Sequence, residues 1–149
     1  MAKITTRPLN SEELATLAGS AEWVNRLLEE EFQSKVRLTG TREDIPNLHT
    51  MLEEGPFTED AKAELKTFGI VFGNVLAREL PLRWVVYRDA NGTDFALQYE
   101  ELELFVFPWD LLVKRMEGGE DLGEMDLDLI LEELREGLKE EAVRMGKRG

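Results

Sequence analysis

Asn91-Gly92, set between two runs that alternate polar and apolar residues, is the feature that most restricts the fold of this chain. An Asn-Gly pair in that setting is the strongest short-range hairpin signal, since both residues tolerate the positive φ of a tight turn matched to strand twist. With Asn91 and Gly92 at the two turn positions, strands at 83–88 and 93–99 pair Arg88 with Phe95, Val86 with Leu97 and Trp84 with Tyr99. Trp84, Val86, Phe95, Leu97 and Tyr99 then share one face. Val85, Tyr87, Asp89, Asp94, Ala96 and Gln98 take the other, wetter face. A third strand over 102–107 sets Leu102, Leu104 and Val106 against Glu103, Phe105 and Phe107. The expectation is a small antiparallel three-stranded sheet covered by helices on one face.

Before and after the sheet the period is helical. Asn10 with Glu13 is a capping-box pattern, with Pro8 just outside it, and it opens a helix to about residue 32. Its stripe is Leu14, Leu17, Ala18, Ala21, Val24, Leu28 and Phe32, and Trp23 on the opposite side points to packing on two sides. A short helix is expected over 45–54, capped by Asp44, with Pro46 in the first turn and Gly55-Pro56 as the stop. Thr58 caps the next helix, with Glu59 and Asp60 in its first turn. That helix contains a stretch, 68–77, that is apolar nearly all round and therefore buried on most sides. Gly69 and Gly73 lie four apart within it. Glycine costs about 1 kcal/mol in a helix interior, and close approach of another element is the expected compensation.

Pro81 ends this helix. Phe107-Pro108-Trp109-Asp110 starts another, which Lys114, Arg115 and Gly118-Gly119 close. The last helix, about 124–145, carries Leu127, Ile130, Leu131, Leu134, Leu138, Ala142 and Met145 on one stripe. The reading is α+β, in the order ααα–βββ–αα, as one domain over 1–149.

Composition narrows the chemistry. With no cysteine there is no thiolate catalysis, disulfide or zinc-thiolate site, and His49 is the single histidine. No apolar run approaches the ~20 residues of a membrane span, so a cytoplasmic protein is expected. The formal net charge is −13, and residues 117–141 hold eleven acids against Arg135 and Lys139. Such a field repels phosphate backbones, which argues against direct nucleic-acid binding; the tail Gly146-Lys147-Arg148-Gly149 is too short to act as a basic arm. On the last helix Asp128, Glu132 and Glu136 lie off the apolar stripe, so a basic partner would meet three carboxylates in a row.

Reactive constellations are absent from the sequence. His49 and Glu53 are spaced i, i+4, but a metal site needs further ligands, and an ion pair or half-buried imidazole is the plainer reading. The acidic run from Asp121 to Glu132 fails as a calcium loop, because Gly123, Met125 and Asp126 occupy positions that need other residues. Glu100, Glu101, Glu103, Asp110 and Asp94 are carboxylates near the sheet with no spacing that defines a catalytic pair. No cofactor motif is present. Phe105, Phe107 and Trp109 fall within five residues. If helices cover only one side of the sheet, some of Tyr87, Phe105, Phe107 and Trp109 form an exposed apolar patch, and such patches mark interaction sites.

Gly69-Ile-Val-Phe-Gly73, Leu80-Pro-Leu-Arg-Trp-Val-Val-Tyr-Arg-Asp89, Asn91-Gly92, Leu104-Phe-Val-Phe-Pro108 and Lys114-Arg115-Met-Glu117 together resemble the bacterial family catalogued as domain of unknown function 3806. The helix start at 9–14 shares the likeness, and Pro81 departs from the glycine expected there. The resemblance implies a single-domain bacterial protein and brings no catalytic residues with it. The function expected is a non-catalytic binding or regulatory module. Its acidity suits an immunity- or inhibitor-like protein that meets a basic partner, through Asp128, Glu132 and Glu136 or through Tyr87, Phe105, Phe107 and Trp109. The alternative is a carboxylate-dependent enzyme of hydrolase type. The oligomeric state stays open.

Overall fold

A computed structural model of the chain describes residues 3–55 and 61–146. Among these residues, strands β1 (Thr5–Arg7), β2 (Leu82–Asp89), β3 (Gly92–Tyr99) and β4 (Phe105–Val106) form one antiparallel sheet in the order β1-β2-β3-β4. The helices are α1 (Ser11–Glu31), α2 (Ile45–Glu54), α3 (Lys62–Glu79), α4 (Pro108–Glu117) and α5 (Leu127–Gly146). The architecture is the expected α+β, with one strand added at the amino-terminal end. Pro56, the Thr58 cap, Glu59, Asp60 and the tail residues 147–149 lie outside the described residues.

The core forms where the sequence is apolar all round. Leu65, Phe68, Val71, Phe72, Val75 and Leu76 of α3 are buried among Val24 and Leu28 of α1, Leu48 and Met51 of α2, and Leu127, Ile130, Leu131 and Leu138 of α5. Leu82, Leu97, Tyr99 and Val106 bring one sheet face to the same cluster, with Trp84 packed against it. Trp84 also donates its indole N–H to Asn74 Oδ1 at 2.9 Å, tying β2 to α3. Gly69 and Gly73 are where α4 lands: a Cβ on Gly69 would collide with the Pro108 carbonyl, and one on Gly73 would lie 2.9 Å from both the Pro108 ring and Trp84.

The hairpin register differs from expectation by two residues. Val86 pairs with Phe95, Trp84 with Leu97 and Leu82 with Tyr99, so Ala90 and Asn91 occupy the turn. Asp89 explains the shift. Its Oδ1 accepts the Asn91 N–H at 2.8 Å, a local bond that stabilises a turn in which Asn91 has no positive φ. Gly92 alone takes φ +135°. Because two residues is one full strand period, every side chain keeps the face assigned to it. Replacing Gly92 by valine still costs about 1–3 kcal/mol from backbone strain alone, since nothing lies within 4 Å of an added Cβ. An unchanged thermal midpoint for Gly92→Val would contradict this turn.

The third strand is shorter than expected. Glu100 at φ +50° turns the chain directly after β3, and Leu102 donates its N–H back to Tyr99 O, leaving Phe105 and Val106 to pair with Gln98 and Leu97. The last helix starts at Leu127 rather than 124, after a 3-10 turn over Leu122–Glu124, and Asp126 Oδ1 accepts the Leu129 N–H there. Asp44 does not cap α2. It is buried, and its oxygens accept from Thr39 and Gly40 instead. On α1 the amino-terminal end of the expected stripe is bare, with Leu14 55% exposed, while Leu17, Val24 and Leu28 are buried. Trp23 packs edge-on to Phe68 of α3 with ring centroids 6.3 Å apart.

The added strand β1 is exposed at all three residues. Besides its pairing with β2, it is held by Arg7, which grips Glu13 through two 2.8 Å bonds while Glu13 completes the α1 capping box with Asn10. Arg7, and then the Asn10 N–H, pull the Glu13 carboxyl down to about 2. A carboxyl lowered on folding stabilises above its ordinary range and loses that contribution as pH falls toward its folded value. Glu13→Gln keeps the cap but loses the charge. Its deficit in urea midpoint relative to wild type should therefore be full at pH 6 and close between about pH 4.5 and 2. A deficit independent of pH would mean the pair contributes nothing.

Candidate functional site

Helices cover the sheet face of Trp84 and Leu97, and the strand period sends Tyr87, Asp89, Asp94 and Phe105 to the other face. On that outer face Tyr87 meets both Phe105 and Phe107 edge-to-face, each pair with centroids 5.0 Å apart. Phe105 and Phe107 are 6.5 Å apart. Edge-to-face contact places the positive ring edge on the negative ring face, so the trio is a self-supporting cluster. All three rings are half-buried, less open than the exposed patch expected from sequence. Val85 and Ala96 on the same face are buried. Trp109, at the start of α4, lies beneath Lys66, whose Nζ is 5.4 Å from the ring centroid.

Beside the trio, toward the hairpin turn, is a cleft of about 290 Å³ lined by Tyr87, Phe107, Asp89, Asp94, the turn residue Asn91, and Gly92 and Thr93 at the start of β3. Tyr87 pairs across the strands with Asp94 and donates its hydroxyl proton to Asp89 Oδ2 at 2.9 Å. That bond, with burial and the nearby charges of Asp89 and Glu103, raises the Tyr87 phenol above its usual range. Asp94 Oδ1 accepts the Phe95 N–H at 2.8 Å, occupying a backbone donor of the strand. Burial raises the Asp94 carboxyl, and Asp110 adds to the effect, against the pull of the Phe95 N–H and Lys66. Asp89 was legible only as a residue of the wetter face, and Asp94 also as one of the carboxylates near the sheet; their convergence beside the aromatic rings comes from cross-strand pairing.

The acidic row on α5 sits elsewhere and is partly spent inside the molecule. Arg42 Nε donates to Asp128 Oδ1 at 3.0 Å and its Nη1 to Glu132 Oε2 at 3.2 Å. Arg135 Nε reaches Glu132 Oε1 at 3.1 Å, and Arg135 Nη1 donates to the Glu79 carbonyl. Arg135 first, then Arg42, hold the Glu132 carboxyl below its usual range. Asp128 and Glu132 therefore fasten α5 to the end of α3 and to the 3-10 turn (Arg42–Asp44) before α2. Glu136 is exposed one turn further on.

The remaining carboxylates are dispersed. Glu101 pairs with Arg83 at 2.8 Å, and Glu100 is exposed at the turn after β3. His49 bridges elements: Nδ1 lies 3.1 Å from the Met125 carbonyl, to which it donates, and Nε2 lies 3.3 Å from Glu53. Among the described residues no group of three or more His, Asp or Glu is placed to hold a metal, and no helix is long and apolar enough to cross a membrane. A larger concavity, about 380 Å³ between α1 and α3, is lined by Trp23, Glu64 and small side chains such as Gly19 and Ala63. It gathers no charge pair or hydrogen-bonding array comparable with the sheet cleft.

A family model described as "Domain of unknown function (DUF3806)" matches residues 44–127. The matched stretch takes in α2, α3, β2, β3, β4 and α4, and with them the whole aromatic trio and its cleft; Asp128, Glu132 and Glu136 fall just beyond it. No curated protein matches the sequence. A crystal structure from Bacteroides thetaiotaomicron VPI-5482 is similar in fold, with a TM-score of 0.67 and 19% identity, covering 81% of this chain and 45% of that one. The chain thus spans less than half the length of that protein, and at this identity the likeness concerns the fold alone.

Proposed function

The chain belongs to the DUF3806 family, and from the sheet face that the family match encloses we propose that it is a non-catalytic binding module of the cytoplasm, recognising a protein partner through Tyr87, Phe105 and Phe107. The observation that carries the reading is the aromatic trio with a cleft beside it, on the face the core does not use. Half-buried aromatics held rigid by each other bury large area at little entropic cost when a partner arrives, which is how binding hot spots are built. Trp109 is not part of this cluster: its ring lies against Lys66 of α3. The α5 row has a supporting role: Asp128 and Glu132 are already paired with arginines, so the row steers a basic partner from a distance rather than seating it. A carboxylate enzyme would use Asp94, the one acid among the described residues that burial raises. Asp94 is engaged by its neighbour's N–H, and a shallow cleft suits recognition better than water exclusion.

Asn91 is exposed, lines the cleft and stands outside the core. Asn91→Arg should fold as wild type and block the cleft. The partner recovered by the wild-type chain from its native cells, once purified, should bind Asn91→Arg at least about tenfold more weakly, as hot-spot obstruction does. Equal affinity would overturn the assignment of this face.

A further inference from the structure

The two carboxylates of the sheet cleft line it together with the Tyr87 and Phe107 rings and are not exhausted by their hydrogen bonds. Asp89 accepts from Tyr87 Oη and from the Asn91 N–H, and Asp94 accepts from the Phe95 N–H through Oδ1. A carboxylate offers about four acceptor positions, so each retains capacity for a further donor. Two ring walls, Tyr87 and Phe107, meet at 90° beside them. Glu103 and Asp110 lie near enough to act on Tyr87 and Asp94, and the cation that acts on Asp94, Lys66, is stationed over Trp109. The cleft combines negative charge with aromatic surface in a chain of net charge −13.

We propose that this cleft seats an arginine side chain of the partner, its guanidinium laid flat on one of the two perpendicular rings, Tyr87 or Phe107, and edge-on to the other, and donating to Asp94 and Asp89. The proposal rests on the reading of the outer sheet face as the binding surface, and it names the chemistry that surface selects. A guanidinium is planar, weakly hydrated and forked, so it satisfies a ring face and a carboxylate at once; a lysine ammonium is compact and strongly hydrated and gains less from the rings. Anionic groups are repelled and neutral amides forgo the charge. The half-buried Asp94, which burial and Asp110 disfavour as an anion, acquires a hydrogen-bonded cation in addition to the pull of Lys66.

The test is titration of the isotopically labelled full chain with three blocked tripeptides, Gly-Arg-Gly, Gly-Lys-Gly and Gly-citrulline-Gly, followed by amide chemical shifts. The arginyl peptide should move the amides of residues 91–95 saturably. The lysyl peptide should bind several-fold more weakly, and the uncharged citrulline peptide about tenfold or more weakly. Asp94→Asn keeps the Oδ1 acceptor for Phe95, so it should melt as wild type yet lose about fivefold in arginyl affinity. Equal binding of the citrulline or lysyl peptide, or unmoved amides at 91–95, overturns the arginine assignment. If Asn91→Arg abolishes partner binding while the arginyl peptide leaves those amides unmoved, the binding surface stands and the arginine assignment falls. If the peptide binds there while partner binding ignores Asn91→Arg, the surface reading falls and takes the partner's arginine with it.

Discussion

Gly69→Ala should destabilise the protein by about 3 kcal/mol, although alanine gains about 1 kcal/mol over glycine in helix propensity. The new methyl would collide with the Pro108 carbonyl, a backbone atom that no rotamer change can move. Relief requires the start of α4 to lift from α3, loosening a core cluster that includes Phe68, Phe72 and Leu112. Gly73→Leu should be comparably damaging, because it meets the Pro108 ring and Trp84 together. Gly19→Ala on α1 is the control. Nothing lies within 4 Å of its added Cβ, so the same substitution there should stabilise by about 0.5–1 kcal/mol. Urea unfolding of the three variants checks the contrast, and a Gly69→Ala chain as stable as Gly19→Ala would refute the helix seat.

Asp44→Ala should cost about 3 kcal/mol. Asp44 is 1% exposed, and its two oxygens accept the Thr39 and Gly40 N–H groups at 2.8 Å each and the Thr39 hydroxyl at 3.1 Å. Removing the carboxylate strands two backbone donors at the entry to α2, and bonds to a charged acceptor are among the costlier ones to leave unmade. Asp44→Asn keeps one acceptor oxygen and should lose less than half as much. If Asp44→Ala unfolds within 0.5 kcal/mol of wild type by the usual order of surface changes, the loop it organises is not a determinant of stability.

What the sequence discloses follows from periodicity. Trp84, Val86, Phe95, Leu97 and Tyr99 fall on their correct face even though the register moves by two, because alternation encodes faces and turn chemistry encodes register. The register hung on Asp89, whose bond to the Asn91 N–H competes with the turn that Asn-Gly favours. Gly69 and Gly73 were readable as a seat, but the occupant, Pro108, lies far along the chain. Strand β1 gave no signal, since three exposed residues carry no alternation and owe their place to pairing with β2 and to Arg7–Glu13.

The same distinction governs the site. Tyr87, Phe105 and Phe107 were legible because strand alternation points them away from the core. The two acids of the cleft were legible as members of that face but not as a pair beside the rings, since only the pairing of Tyr87 with Asp94 and the turn at Asp89 bring them there. The α5 acids present the opposite case. Asp128, Glu132 and Glu136 form a conspicuous row, yet Arg42, some ninety residues earlier, answers two of them. No local pattern reports a pairing at that separation.

Backbone hydrogen exchange on the chain with and without its purified partner tests the central claim most directly. The account predicts slowed exchange at residues 87–95 and 105–107, with the exposed face of α5 little changed. Protection confined to α5, with the hairpin exchanging as in the free protein, would contradict it.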